Sequence, residues 1–158
     1  VPVLVTTGTR VPPPGEPLRV MVTLDLLDEP EGLVRDASGL LAPGDAMLLA
    51  HAVESTYFSP AAYGVEVALP QPDVPRLREA AQRRLEAVAP AEGLPQPTVR
   101  VATGRPGDAL LGVERAWRPH IVVARSHGRR GFDRMMLGSV SEFLARRCAA
   151  AVLVFPKP

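Results

Sequence analysis

The sequence predicts an α/β domain built on an open parallel sheet of five strands with helices on both faces. Three observations lead there. Short apolar runs suited to buried strands stand at Arg19–Leu24, Ala46–Ala52, Thr98–Ala102, Ile121–Ala124 and Ala151–Phe155. Segments with helical spacing fall between them, the alternation that yields parallel strands. Third, the run Ile121–Ala124 leads into Ser126-His127-Gly128, then Gly138-Ser139, a helical pattern and the last apolar run. The order is strand, glycine-bearing loop, helix, strand.

The elements follow in chain order. Val1–Val5 reads VPVLV, and Thr6–Pro17, with Pro12-Pro13-Pro14-Gly15, reads as a linker. Residues 1–17 are thus an N-terminal extension or added strand, and residues 18–158 the domain proper. The first core strand, Arg19–Leu24, ends at Asp25, on the carboxyl side where open α/β sheets bind ligands. A short helix is expected over Glu31–Leu41, interrupted by Gly32 and Gly39 and ended by Gly44. Glu54–Pro72 has no steady period and reads as a long loop. Asp73 then caps a helix in which Val74, Leu77, Ala81, Leu85 and Val88 recur at three- and four-residue steps, predicting one buried stripe. Asp108 is expected to start a further helix that packs through Leu110, Leu111, Val113 and Trp117.

Size and composition bound the function. A chain of 158 residues suits one domain with a substantial core. No apolar run is long enough to span a bilayer, and the first residues lack the basic and apolar regions of a secretory signal. The single cysteine, Cys148, allows no internal disulfide and is expected to be a small packed side chain. Together these predict a cytoplasmic protein. The net charge of +1 predicts no general attraction to nucleic acid or membrane. Charge is concentrated, however: Arg105–Arg147 holds nine arginines against four acids, around the glycine loop. Arg129, Arg130 and Arg134 are expected to form a solvated face; Phe132 alone among them does not make an RNA-stacking surface.

The loop into the last helix suits an anion, because a helix start leaves backbone N–H groups free. Gly128 and Gly138 allow close approach of a ligand to the backbone. Ser139 and Glu142 have the S-x-x-E spacing of a capping box, which explains both without a ligand; phosphate binding would instead use the hydroxyl of Ser139 and the remaining amides. Both roles are open. No Gly-Lys-Ser/Thr follows the glycines, so the lysine and magnesium chemistry of the P-loop is missing, and no G-x-G-x-x-G is present. His51 and His120 lie at strand ends with no metal-ligand spacing, and His127 has no paired nucleophile.

The segment resembles the universal stress protein family. Its hallmark is a glycine, two residues, a glycine, nine residues, then glycine followed by Ser or Thr. Gly128, Gly138 and Ser139 match, and Arg125 stands at the first glycine. Leu137-Gly138-Ser139-Val140-Ser141-Glu142 and Ala151-Val152-Leu153-Val154 are also similar to the family, and the resemblance spans Leu18–Phe155. It implies a Rossmann-like sheet of the adenine nucleotide alpha-hydrolase type, with ATP or AMP as possible ligand and magnesium undecided. Asp25 would meet the ribose or adenine side, and the backbone of Ala52 the base. Ala124, Arg125, His127 and Gly128 would line the middle, and Gly138, Ser139 and Val140 would hold the phosphates. The resemblance also implies a homodimer through the last strand. Val1–Val5 looks like another copy of that strand, either an added strand or the tail of a preceding domain.

The chain departs from the family at Arg125, whose side chain either fills the pocket or pairs with phosphate. It departs also at Thr23, where proline is common, and at Leu26-Leu27. Two functions follow. One is a stress-response regulator that binds adenine nucleotide and changes its dimer or partner contacts. The other is a structural or interaction module whose pocket Arg125 fills. No base and metal constellation stands beside the loop, so an enzyme is not expected.

Overall fold

A computed structural model describes residues 2–5, 10–27, 29–54, 73–88, 94, 96–126 and 138–156. The predicted loop at 54–72 falls outside them beyond Glu54. So do His127, Gly128, Arg129, Arg130 and Arg134. The described elements are β1 (Val3–Val5), β2 (Arg19–Thr23), α1 (Pro30–Ser38), β3 (Ala46–Val53), α2 (Val74–Glu86), β4 (Thr98–Thr103), α3 (Pro106–Trp117), β5 (Ile121–Arg125), α4 (Ser139–Arg147) and β6 (Ala151–Phe155). They form a six-stranded sheet in the order β1-β6-β5-β2-β3-β4. The five core strands are parallel, as expected.

Alternation along the strands divides the core into two layers. Met21, Leu48, Ala50, Val122, Val152 and Val154 face α3 and α4, where they meet Leu110, Leu111, Leu144 and Ala145. Val20, Val22, Leu49 and Val123 face the other way, onto Leu33, Val34 and Ala37 of α1 and Leu85 of α2. Cys148 belongs to the first layer and is buried; burial, and then the Glu114 carboxylate, push its thiol up to about 12. It stays protonated, which fits the small packed side chain expected of it.

The added strand is real and short. Among the described residues Val3–Val5 pairs, antiparallel to β6, with Val3 opposite Val154, Leu4 opposite Leu153 and Val5 opposite Val152. The edge of β6 that was expected to meet a second copy is therefore covered from within the chain, and a second chain joining this side of the sheet would meet β1. Beyond β1, Arg10 reaches α3. Its Nη1 donates to Oε1 of Glu114 at 3.1 Å and to the carbonyl of Pro119 at 2.9 Å. The Glu114 side chain is 1% exposed, and its Oε2 finds no hydrogen-bond partner among the described residues.

Three local expectations are corrected. Leu77 is 46% exposed, so the α2 stripe is buried only through Ala81 and Leu85, with Val88 buried just past the helix end. The reason is that the α2 face above Ala81 opens onto a crevice. The third helix begins at Pro106, not Asp108; proline is favoured in a first turn because its missing N–H is an orphan there anyway. It ends where Arg118 turns left-handed (φ 55°) just before Pro119. Finally, Gly138 is the N-cap of α4 and no side chain caps it. Ser139 and Glu142 are thus shifted one place into the helix, out of capping-box register. Glu142 pairs with Arg146 at 2.7 Å instead, and Ser141 donates to the Gly138 carbonyl at 2.9 Å.

His120 joins the amino ends of β2 and β5. Its Nδ1 accepts the Arg19 N–H at 3.0 Å, and its own N–H donates to the Arg19 carbonyl. Burial first, and the nearby Arg19 and Arg10 second, hold its pKa below the usual 6.5. A base with a lowered folded-state pKa binds fewer protons folded than unfolded. Its contribution is complete above the unfolded pKa and is lost as pH falls through the folded one. Thermal stability should therefore fall as pH drops below about 6.5, and His120→Gln should flatten that decline. A decline of equal slope in both proteins would remove His120 as its cause.

Candidate functional site

Chain order runs outward in both directions from β2: to β3 and β4 on one side, to β5 and β6 on the other. The switch between β2 and β5 leaves a crevice at the carboxyl ends of the strands, where diverging loops cannot close over the sheet. A cavity of about 680 Å³ opens there. Its floor is Thr23, Leu24, Ala52, Val53 and Ala124. One wall comes from α1 (Pro30, Leu33), another from α2 (Leu77, Ala80, Ala81, Arg84), and the third from the start of α4.

The floor is locked by main-chain contacts. Thr23 donates its hydroxyl to the Val123 carbonyl at 3.1 Å and so ties β2 to β5 beneath the crevice. Leu24 N–H reaches the Ala50 carbonyl, and Nδ1 of His51 donates to the Leu24 carbonyl at 2.8 Å. Asp25 accepts the Leu27 N–H at 3.0 Å, an Asx turn that aims the chain away from β2 and leaves Leu27 exposed.

Asp25, Ala52, Ala124, Arg125, Gly138, Ser139 and Val140, singled out from the sequence, all line this one cavity. His127 and Gly128 lie outside the described residues. The α4 end gives the site its polarity. Its first turn begins at Gly138, uncapped by any side chain, and Ser139 is exposed at its first position. The amides of such a turn form a partial positive charge aimed outward.

Arg125 does not fill the hollow. It shares the face of Val123, toward α1, whereas α4 covers the opposite face. Its guanidinium lies over Gly32, where a Cβ would come within 3.3 Å of Nη2, and points to Asp36 at 3.8 Å.

Sequence reasoning missed the α1 and α2 walls. The spacing of Leu77, Ala80, Ala81 and Arg84 was a usable signal, since it puts them on one face of α2. Among the described residues, no cluster of His, Cys, Asp or Glu is placed to hold a metal ion. No helix among them is long and apolar enough to cross a membrane.

The universal stress protein family model matches residues 18–156. The chain is 32% identical to universal stress protein A homolog 2 of Coxiella burnetii (strain RSA 493 / Nine Mile phase I), over 77% of this chain and 82% of that one. Among solved structures, that of a universal stress protein in complex with cAMP is 26% identical, covering 87% of this chain and 94% of that chain with a TM-score of 0.52. The fold is also similar to that of the hypothetical protein PH0823, with a TM-score of 0.62 at 18% identity, over 88% of this chain and 94% of the other.

Proposed function

Because the chain belongs to the universal stress protein family, we propose that it is a stress-response regulator that takes an adenine nucleotide, ATP or AMP, in the crevice between β2 and β5. One observation carries the reading: the cavity of about 680 Å³ joins an apolar chamber to the uncapped start of α4. The volume is in the range of small-molecule sites. The chamber formed by Leu24, Leu33, Val53, Leu77 and Ala81 suits a flat base, and the α4 amides suit phosphate. The relative crystallised with cAMP lends support.

The protein works by binding rather than by catalysis. Nucleotide bound across β2, β5 and α4 alters the surface offered to a partner or to a second copy at the sheet edge formed by β1. The alternative, a module whose pocket Arg125 fills, is disfavoured by the guanidinium lying against α1.

Calorimetric titration of refolded, ligand-stripped protein with ATP, AMP and cyclic AMP tests the reading. Saturable binding in the micromolar to submillimolar range is expected. Absence of heat and of thermal stabilisation at several millimolar of each would refute it.

A further inference from the structure

Arg125 stands at the first glycine of the family hallmark, and its surroundings accommodate it. Gly32 sits in the first turn of α1. A Cβ there would come within 3.3 Å of Nη2, so the guanidinium would have to give slightly, while Nη1 at 3.8 Å would be in ordinary contact. Asp36 lies one turn further along the same helix. The side chain of Arg125 is 12% exposed, yet among the described residues its donors are poorly used. The approach to Asp36, 3.8 Å, is too long for a hydrogen bond, and Nε is buried with no partner among the described residues. The carboxylate it faces is 46% exposed, so the pair contributes little. A largely buried guanidinium with unspent donors is costly unless an anion completes it. This one is at the end of β5 and contributes to the cavity wall.

We propose that Arg125 is a selectivity residue for the anionic group of the bound nucleotide, parked over Gly32 beside Asp36 until a phosphate takes the carboxylate's place. The inference rests on the nucleotide reading and goes beyond it. Where the family pattern has glycine, this chain has a cation that would reach phosphate from the α1 side of the cavity, which the start of α4 also lines. Asp36 competes with the ligand for that cation, and Gly32 supplies the space in which it rests. Guanidinium is suited to the exchange because it is always charged and pairs with carboxylate and phosphate through the same fork.

The test compares adenosine, AMP and ATP on the full chain, for wild type, Arg125→Ala, Arg125→Lys and Asp36→Asn, each checked by thermal melting. Arg125→Ala should weaken AMP and ATP roughly tenfold, as loss of a charge-assisted contact does. Adenosine should be left nearly unchanged. Arg125→Lys should recover part of the loss, and Asp36→Asn should tighten AMP severalfold without altering adenosine. Equal weakening of adenosine and AMP in Arg125→Ala would show a merely structural residue and overturn the inference. So would no change in either. Wild type that binds none of the three would overturn the nucleotide reading itself, and the inference with it.

Discussion

Replacing Arg10 with alanine is expected to destabilise the domain by about 3 kcal/mol, the usual cost of stranding one member of a buried ion pair. At this chain length that corresponds to a fall in Tm of about 6–12 °C. The cause is Glu114. Its carboxylate is 1% exposed, and Arg10 is the cation that reaches it, at 3.1 Å. Without the guanidinium, a charge remains inside the α3 layer with no water to solvate it, and the Pro119 carbonyl loses a donor as well. Glu114→Gln should cost much less, because the amide oxygen still accepts from Arg10 and the cation left without a counter-charge is partly open to water, at 23% exposure. The double variant Arg10→Ala with Glu114→Leu should recover most of the loss. Calorimetry of the variants decides it: an Arg10→Ala protein melting within a degree of wild type would mean that the N-terminal segment does not clamp α3.

Leu144→Ala is expected to have a similar or larger effect, about 3 kcal/mol within the 2–5 range typical of such truncations. The side chain is fully buried between α4 and the sheet. α4 is nine residues long and is anchored by Ser141, Leu144 and Ala145 alone among its buried positions. The gap left beneath it would loosen the helix whose first turn faces the crevice. Under the proposed function, AMP affinity should then fall more than adenosine affinity, since the phosphate end depends on α4. Leu144→Met, which keeps the volume, should cost less than about 1.5 kcal/mol and spare binding. Denaturant melts and titrations of both variants provide the check.

What the sequence disclosed and what it hid have a common physical basis. The central strands were readable because both of their faces are buried, so runs such as Val20-Met21-Val22 and Val122-Val123-Ala124 admit little else. The first helix was readable in spite of Gly32, because Leu33, Val34 and Ala37 still form a buried stripe. The purpose of Gly32 was not readable, since it depends on an arginine that only the fold brings near. The Arg10–Glu114 pair spans 104 positions and leaves no local pattern. Leu77 misled because an apolar helical stripe does not say whether it meets a sheet or borders a hollow. At α4 the S-x-x-E spacing is present, but the helix starts one residue earlier than a capping box requires, with Gly138 rather than Ser139 as its N-cap. Of the crevice residues, Asp25 was legible from its place at a strand end, and Ala52, Ala124, Arg125, Gly138, Ser139 and Val140 from the family resemblance. The walls from α1 and α2 became visible only once the helices were seen to converge.

The antiparallel seating of β1 has a consequence for how this molecule can change. Val5 lies opposite Val152, so the chain leaves β1 at the amino end of β6 and reaches Arg10, Pro119 and Glu114 on that side of the sheet. The crevice opens at the opposite pole, beyond Thr23, Ala52 and Ala124. Stapling and ligand chemistry are therefore spatially divorced. Under the proposed function, mutations in residues 2–10 would retune robustness while leaving nucleotide preference intact, and the two traits would be free to drift separately.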